Sequence, residues 1–237
     1  MHAVGPGPSR APPLRLPAGS EPLGPTKQEL IALYRRRARR YDWSANLYYL
    51  IGFREQAYRR RAVAALELKP GANVVDIGCG TGLNFPLLRR AVGAHGRVIG
   101  VDLTDGMVAQ ARERIEHHGW SNVSVVQSDA AAYRFPERVD GVLSTFALTL
   151  VPEYEQVIAR AAAALTSGGC LAVLDLRRPE RWPLWLIKLA VAMTAPFGVS
   201  LDLAARRPWD ALAKHFAHTR YEDIYFGFAY LVTGQKG

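Results

Sequence analysis

Val74-Val75-Asp76-Ile77-Gly78-Cys79-Gly80-Thr81-Gly82 is the stretch that decides how this chain folds. Its first half is a short β-branched run, the composition of a strand buried on both faces. Its second half places three glycines at alternate positions, where the backbone can turn sharply and come close to a ligand. A helical pattern starting at Gly82 follows, so the unit reads as strand, tight turn, helix.

The spacing restricts what the turn can hold. A dinucleotide turn reads G-x-G-x-x-G and sets pyrophosphate against a helix N-terminus. Here the spacing is G-x-G-x-G, and Asp76 stands two residues before the first glycine. A carboxylate there repels a pyrophosphate. It suits a zwitterionic amino-acid moiety carrying a sulfonium, because an acid accepts hydrogen bonds from a positively charged donor.

Working outward, strand-like and helical segments alternate. Strands are expected at Asn73 to Asp76, Arg97 to Asp102, Val123 to Gln127, Val139 to Ser144 and Cys170 to Leu174. Helices are expected from Gly82, Asp105 and Glu153. Such alternation implies an α/β fold with a parallel sheet and right-handed crossovers. Tyr221 to Phe226 and Phe228 to Thr233 read as an antiparallel pair at the sheet edge, turning around Gly227. The second strand ends in Asp102, which can bind both hydroxyls of a ribose, with Leu103 and Met107 flanking an adenine. The third ends in Gln127-Ser128-Asp129-Ala130, whose carboxylate can accept from an adenine amino group, and the fourth in Leu143-Ser144-Thr145-Phe146. Four successive strand ends thus offer ligand groups along one edge.

The flanks differ from this core. Residues 1–26 hold seven prolines and four glycines, and are expected to be a disordered tail without an apolar block long enough for a secretory signal. Residues 27–237 are expected to form one domain, with N-terminal helices over 27–70 and an insert over 177–207. Residues 1–70 carry 13 basic and 5 acidic side chains, and 177–220 carry 8 and 3, whereas 71–176 carry 8 and 11. Basic flanks around a mildly acidic core point to an anionic partner. Within the insert, residues 182–201 are apolar for almost a bilayer's width, but Lys188 interrupts them and Pro183 and Pro196 bracket the helical part. A lid, a pocket wall or an interfacial helix is therefore expected there, and a spanning helix is not. Two cysteines, Cys79 and Cys170, are too few for a disulfide framework and fit a reducing, cytoplasmic setting.

The order of these motifs resembles the class I S-adenosylmethionine-dependent methyltransferases, particularly the branch of quinone-biosynthesis C-methyltransferases and bacterial phospholipid N-methyltransferases. The likeness runs roughly from Tyr34 to the C-terminus. It implies a Rossmann-like, seven-stranded, mostly parallel sheet with an antiparallel C-terminal hairpin, helices on both faces and an N-terminal helical lid. It also implies that Asp76, Gly78, Gly80 and Gly82 hold the methionine part of S-adenosyl-L-methionine, with Ser144 beside it. Asp102 would hold the ribose, and Asp129 with Ala130 the adenine. Tyr41-Asp42-Trp43 resembles the tyrosine–aspartate motif that closes a helix over the donor in this branch, making Tyr41 the candidate lid residue beside the methyl group. Tyr225-Phe226-Gly227-Phe228-Ala229-Tyr230 resembles the terminal hairpin of lipid-acting members, placing Tyr225 toward the acceptor head group.

Methyl transfer from a sulfonium is an in-line displacement that needs no metal, so alignment and exclusion of water are the protein's tasks. The insert pairs apolar surface with arginines that grip phosphate bidentately. Arg178, Arg206, Arg207 and Trp185 are the candidate acceptor-binding residues. The expectation is methylation of a membrane-associated amphiphile by a protein peripheral on the inner face of the membrane, with a phosphatidylethanolamine-like amine first. A quinone-precursor ring carbon or a soluble small molecule is the alternative. A non-catalytic lipid- or nucleic-acid-binding protein with a vestigial donor site is a third class, but few aromatics interleave with the arginines of Tyr34 to Arg40, so no nucleic acid is expected. His215 and His218 have an i, i+3 spacing that no carboxylate or cysteine motif supports, so no metal is expected. Cys79 and Cys170 do not supply the reactive set of arsenite methylation.

Overall fold

A computed structural model describes residues 26–37, 52–179, 182–183, 185–187 and 206–237. In chain order the elements are α1 (Lys27–Arg37), α2 (Glu55–Ala64), β1 (Asn73–Ile77), α3 (Phe85–Val92), β2 (Arg97–Asp102), α4 (Asp105–His117), β3 (Val123–Gln127), β4 (Val139–Thr145), a 3₁₀ turn (Leu148–Leu150), α5 (Tyr154–Ala164), β5 (Leu165–Leu176), α6 (Pro208–His215), β6 (His218–Ile224) and β7 (Ala229–Gln235).

The seven strands form one sheet in the order β3-β2-β1-β4-β5-β7-β6. β1 to β5 are parallel, and β7 runs antiparallel to both β5 and β6. Strand alternation splits the core into two layers. Val74 faces Ala62, Val63, Phe85 and Leu88 of α2 and α3, while Val75 and Ile77 face Val157, Ile158 and Leu212 of α5 and α6. The order reverses between β1 and β4, and in an open α/β sheet the crevice beyond the strand carboxyl ends at that switch binds ligands.

The structure departs from the sequence-based expectations at the starts of α3 and β5 and at the two histidines. α3 begins at Phe85 rather than Gly82, because Gly82 has a φ of 81° and cannot join a right-handed helix. β5 begins at Leu165 rather than Cys170. Thr166 to Gly169 have turn composition, yet Val139 pairs Leu165, and Gly168 and Gly169 exchange backbone hydrogen bonds with Lys236, at 2.9 Å each. The expected antiparallel pair does stand at the sheet edge: β7 lies between β5 and β6, buried along most of its length, and the mostly exposed β6 forms the margin. His215 closes α6 and His218 opens β6, so the helical spacing assumed for them does not arise.

Among the described residues no helix is long and apolar enough to cross a membrane, and no three His, Cys, Asp or Glu side chains cluster as metal ligands would.

Candidate active site at the carboxyl edge of the sheet

A cleft of about 910 Å³ opens over the carboxyl ends of β1, β2, β3 and β4. Its floor is Gly78 to Thr81, one wall is Asp102 to Thr104 with Met107, and another is Ser128 to Ala130. Thr145 to Ala147 and Leu150 to Pro152 complete it from the β4 side. Its lining is mostly apolar with a few directed polar groups, the composition of a small-molecule site.

The glycine turn is held from below. Gly78 and Cys79 donate their N–H groups to the Val101 carbonyl, at 2.8 and 3.0 Å, docking the turn on the end of β2. Gly78 sits at a φ of 66°, and a Cβ there would lie 2.3 Å from that of Ala147, so no other residue fits. Asp102 accepts from Gly80 N–H on Oδ2 and from Thr104 N–H on Oδ1, each at 2.9 Å. The Thr104 hydroxyl and the Leu103 N–H also hydrogen-bond to this carboxylate, which stands in the lining of the cleft. Burial pushes its pKa up, opposed by the N–H groups of Thr104 and Gly80.

α1 closes the cleft from above, placing Leu30 and Tyr34 in its lining. Lys27 Nζ pins the helix start by donating to Asp129 Oδ2 at 2.6 Å and Glu153 Oε1 at 2.8 Å. Arg35 forks onto Asp105 from the same helix, at 2.9 and 2.8 Å. Asp129 Oδ1 accepts from Ala131 N–H at 2.9 Å. Burial would raise the Asp129 pKa, but the hydrogen bonds from Lys27 and Ala131 hold it below its ordinary value.

Asp76 does not face the cleft. It is fully buried behind the turn, and both its oxygens accept from Asn84 Nδ2 at 3.1 Å. Asn84 Nδ2 also donates to Thr145 Oγ1 at 2.9 Å, and Asn84 Oδ1 accepts from Arg59 Nη1 at 3.0 Å. Arg59, itself lining the cleft, forks onto Glu55 at 2.8 and 2.6 Å. The expected ligand-facing carboxylate is thus part of an internal network joining α2, β1, α3 and β4. Its position follows from pleat geometry, which aims Asp76 into the layer that holds Asn84 and Arg59.

Burial, together with the nearby Asp102, pushes the Asp76 pKa up to about 7, against the Asn84 hydrogen bond and the Arg59 charge. The folded state therefore holds a proton that the unfolded chain releases near the ordinary aspartate value of 3.8. Stability then falls as pH rises through the interval from about 4 to about 7, and is level above it. Measured by urea denaturation at stepped pH, Asp76→Asn is expected to flatten that slope, whatever it does to the absolute stability. Equal slopes for the two proteins would refute the assignment.

The remaining candidates divide. Gly78, Gly80, Asp102, Leu103, Met107, Asp129 and Ala130 meet around the cleft. Gly82 and Ser144 do not line it. A Cβ on Gly82 would strike the Phe85 ring at 2.5 Å, so its role is packing, and Ser144 is buried one residue short of the lining. Tyr41 lies outside the described residues. Tyr225 is set back from the cleft: its ring packs edge-on to Phe53 at 5.3 Å, and Phe53 packs on the lining residue Phe146 at 5.9 Å.

Arg206 and Arg207 are engaged locally, the first on the Thr149 carbonyl and the second with Asp210 at 2.8 Å. Arg178 and Trp185 are exposed. Sequence reasoning missed Arg59, Glu55, Asn84 and Lys27, while Phe146 stands in the fourth strand-end motif. Of the four, Asn84, two residues after the glycine turn, stood nearest to a motif.

Residues 74–169 match a family model described as a methyltransferase domain. The chain is 34% identical over 144 residues to a 2-phytyl-1,4-naphtoquinone methyltransferase of Thermosynechococcus vestitus, a match over 58% of this chain that spans 63% of that relative. It is 32% identical over 154 residues to a phosphatidylethanolamine N-methyltransferase of Cereibacter sphaeroides, covering 64% of this chain and 70% of that one. Its fold is similar to the crystal structure of a SAM-dependent methyltransferase from Aquifex aeolicus, with a TM-score of 0.55 at 20% identity over 76% of this chain and 89% of the other. Motif order, sheet topology, cleft position and these likenesses agree, and the chain belongs to the S-adenosylmethionine-dependent methyltransferase family.

Proposed function

We propose that this protein transfers a methyl group from S-adenosyl-L-methionine to the head-group amine of a phosphatidylethanolamine-like phospholipid. The observation that carries the donor half is Asp102, a carboxylate that ends β2 in the lining of the cleft. In this reading Asp102 takes the ribose hydroxyls. Leu103 and Met107 flank the adenine, and Asp129 with Ala130 borders its amino edge. Gly78 and Gly80 let the backbone approach the methionine part.

Bound there, S-adenosyl-L-methionine supplies an electrophilic methyl group on a sulfonium. A neutral amine gives its lone pair to that carbon while the carbon–sulfur bond breaks, and the extra N–H proton leaves to solvent. Alignment and dryness are what the chain must contribute. Leu30 and Tyr34 of α1 cover the cleft, and Phe146 gives it an apolar side.

The acceptor half is supported by the relative named for phosphatidylethanolamine, by the basic flanks and by the aromatic rim described below. A peripheral place on the inner face of the membrane accompanies this reading. The likeness to a naphthoquinone methyltransferase favours a second acceptor, a quinone-precursor ring carbon, which needs a base where a deprotonated amine needs little.

The test is incubation of the purified protein with methyl-labelled donor and a total lipid extract, followed by chromatography and mass analysis. Label in ethanolamine phospholipids is the expected outcome. Label confined to quinones would establish the second reading, and label in neither would overturn both.

A further inference from the structure

We propose that the β6–β7 turn, Tyr225 to Phe228, is a preformed aromatic wedge that docks the protein on an anionic lipid surface beside the cleft. The turn is conformationally expensive. Tyr225 and Phe226 have φ values of 49° and 55°, followed by Gly227 at 82°. A bulky residue in the left-handed region is an outlier that persists only when its surroundings hold it there.

Here they do. Gly227 N–H donates to the Ile224 carbonyl at 3.2 Å and Phe228 N–H to that of Tyr225 at 3.1 Å. Trp182 donates its indole N–H to the Phe226 carbonyl at 3.1 Å and stacks on Phe228 at 5.7 Å. The result of that strain is a Phe226 ring left 85% exposed; Trp185, three residues after Trp182 in the sequence, is 67% exposed. Backbone strain used to push a phenyl group into water indicates a surface that meets something apolar.

Position and charge identify the occupant. β7 runs antiparallel to β5, pairing Ala229 with Leu176, so the turn lies on the same carboxyl edge as the cleft. The rings of Phe226, Tyr225, Phe53 and Phe146 follow one another at 5.7, 5.3 and 5.9 Å, an apolar path from the exposed ring to the cleft wall.

Arg54 adjoins Phe53, and Arg178 follows Arg177, whose N–H donates to the Phe228 carbonyl at 2.9 Å. Both Arg54 and Arg178 are exposed and form no ion pair among the described residues. The neighbouring acids are already taken, Glu222 by Arg61 and Asp223 by Arg177.

A protruding apolar ring on an edge that also carries exposed arginines without an ion pair among the described residues matches a head-group region, with rings at the acyl boundary and arginines on phosphate. A second copy of the chain fits less well. Two exposed rings bury about 400 Å² per copy, or about 800 Å² over both copies, below the roughly 1,000 Å² total of a stable protein interface. The inference gives the lipid-acceptor reading its means of delivery and rests on that reading for its purpose. Its test, however, uses neither donor nor acceptor chemistry.

The full chain is floated with phosphatidylglycerol-rich vesicles. Phe226→Asn is compared with the parent, since asparagine tolerates the left-handed conformation and keeps the turn. The parent is expected to bind, and the variant to bind about tenfold more weakly. Phe226→Trp should retain binding, and donor affinity by calorimetry should be equal in all three. Failure of the parent to float, equal flotation of Phe226→Asn, or an Asn variant that only dissolves a dimer seen by sedimentation would each overturn the proposal. Vesicle binding that depends on Phe226, in a protein that labels no phospholipid, would uphold the wedge and refute the acceptor instead.

Discussion

Arg59→Met is expected to destabilise the fold by about 3–5 kcal/mol, the range for removing one partner of a buried ion pair. Arg59 is only 4% exposed and its partner Glu55 only 7%. Methionine keeps the aliphatic volume but leaves the Glu55 carboxylate without its fork. Asn84 Oδ1 and Thr145 Oγ1 also lose a charged donor. For a domain of this size the melting temperature should fall by ~10 °C.

The same residue lines the cleft, so weaker donor binding should accompany the lost stability. Urea denaturation of Arg59→Met, Glu55→Met and the double variant would isolate the pair. The double variant should recover part of the loss, because two apolar side chains leave no stranded charge. A change below about 1 kcal/mol for Arg59→Met would show that the network contributes little.

Asp102→Ala carries the largest expected effect on binding. Each hydrogen bond from a ribose hydroxyl to an ionised carboxylate contributes about 1.5–3 kcal/mol. The substitution also frees the Gly80 and Thr104 N–H groups that shape the turn. Together these predict donor affinity lower by roughly 10²–10³-fold in calorimetric titration. Asp102→Asn, which keeps one carbonyl acceptor, should fall between the two. Both variants should remain folded, because the Gly78 and Cys79 hydrogen bonds to Val101 do not involve this side chain. Unchanged donor affinity in folded Asp102→Ala would remove the ribose from this position and with it the placement of the donor.

The candidate site was legible in the sequence wherever local chemistry and strand ends coincide. Asp102 and Asp129 were readable because a carboxylate at the carboxyl end of a parallel strand has few places to go but the crevice. Gly78 was readable because turn geometry at a φ of 66° excludes other residues. Asp76 misled for the opposite reason. It stands inside the strand, one residue before the end, and the pleat turns it into the layer between sheet and helix. Arg59 was invisible because an arginine in a run of three looks like solvated charge. Only packing of α2 against the turn shows which of Arg59, Arg60 and Arg61 is buried.

The sequence by itself determined the alternation of strand and helix, the glycine turn, the parallel direction of the first five strands and the carboxylates at the ends of the second and third. These follow from period, turn chemistry and the handedness of crossovers, all local or nearly local constraints. Tertiary structure alone decided that β7 lies between β5 and β6, because strand order depends on which edge remains open after the parallel sheet is built. It also decided that Asp76, Asn84, Arg59 and Glu55 form one buried network under the cleft, and that Lys27 reaches Asp129 and Glu153 to hold α1 over it. These contacts join residues distant in the chain. Their energies come from burial and charge pairing, which exist only once the layers have met.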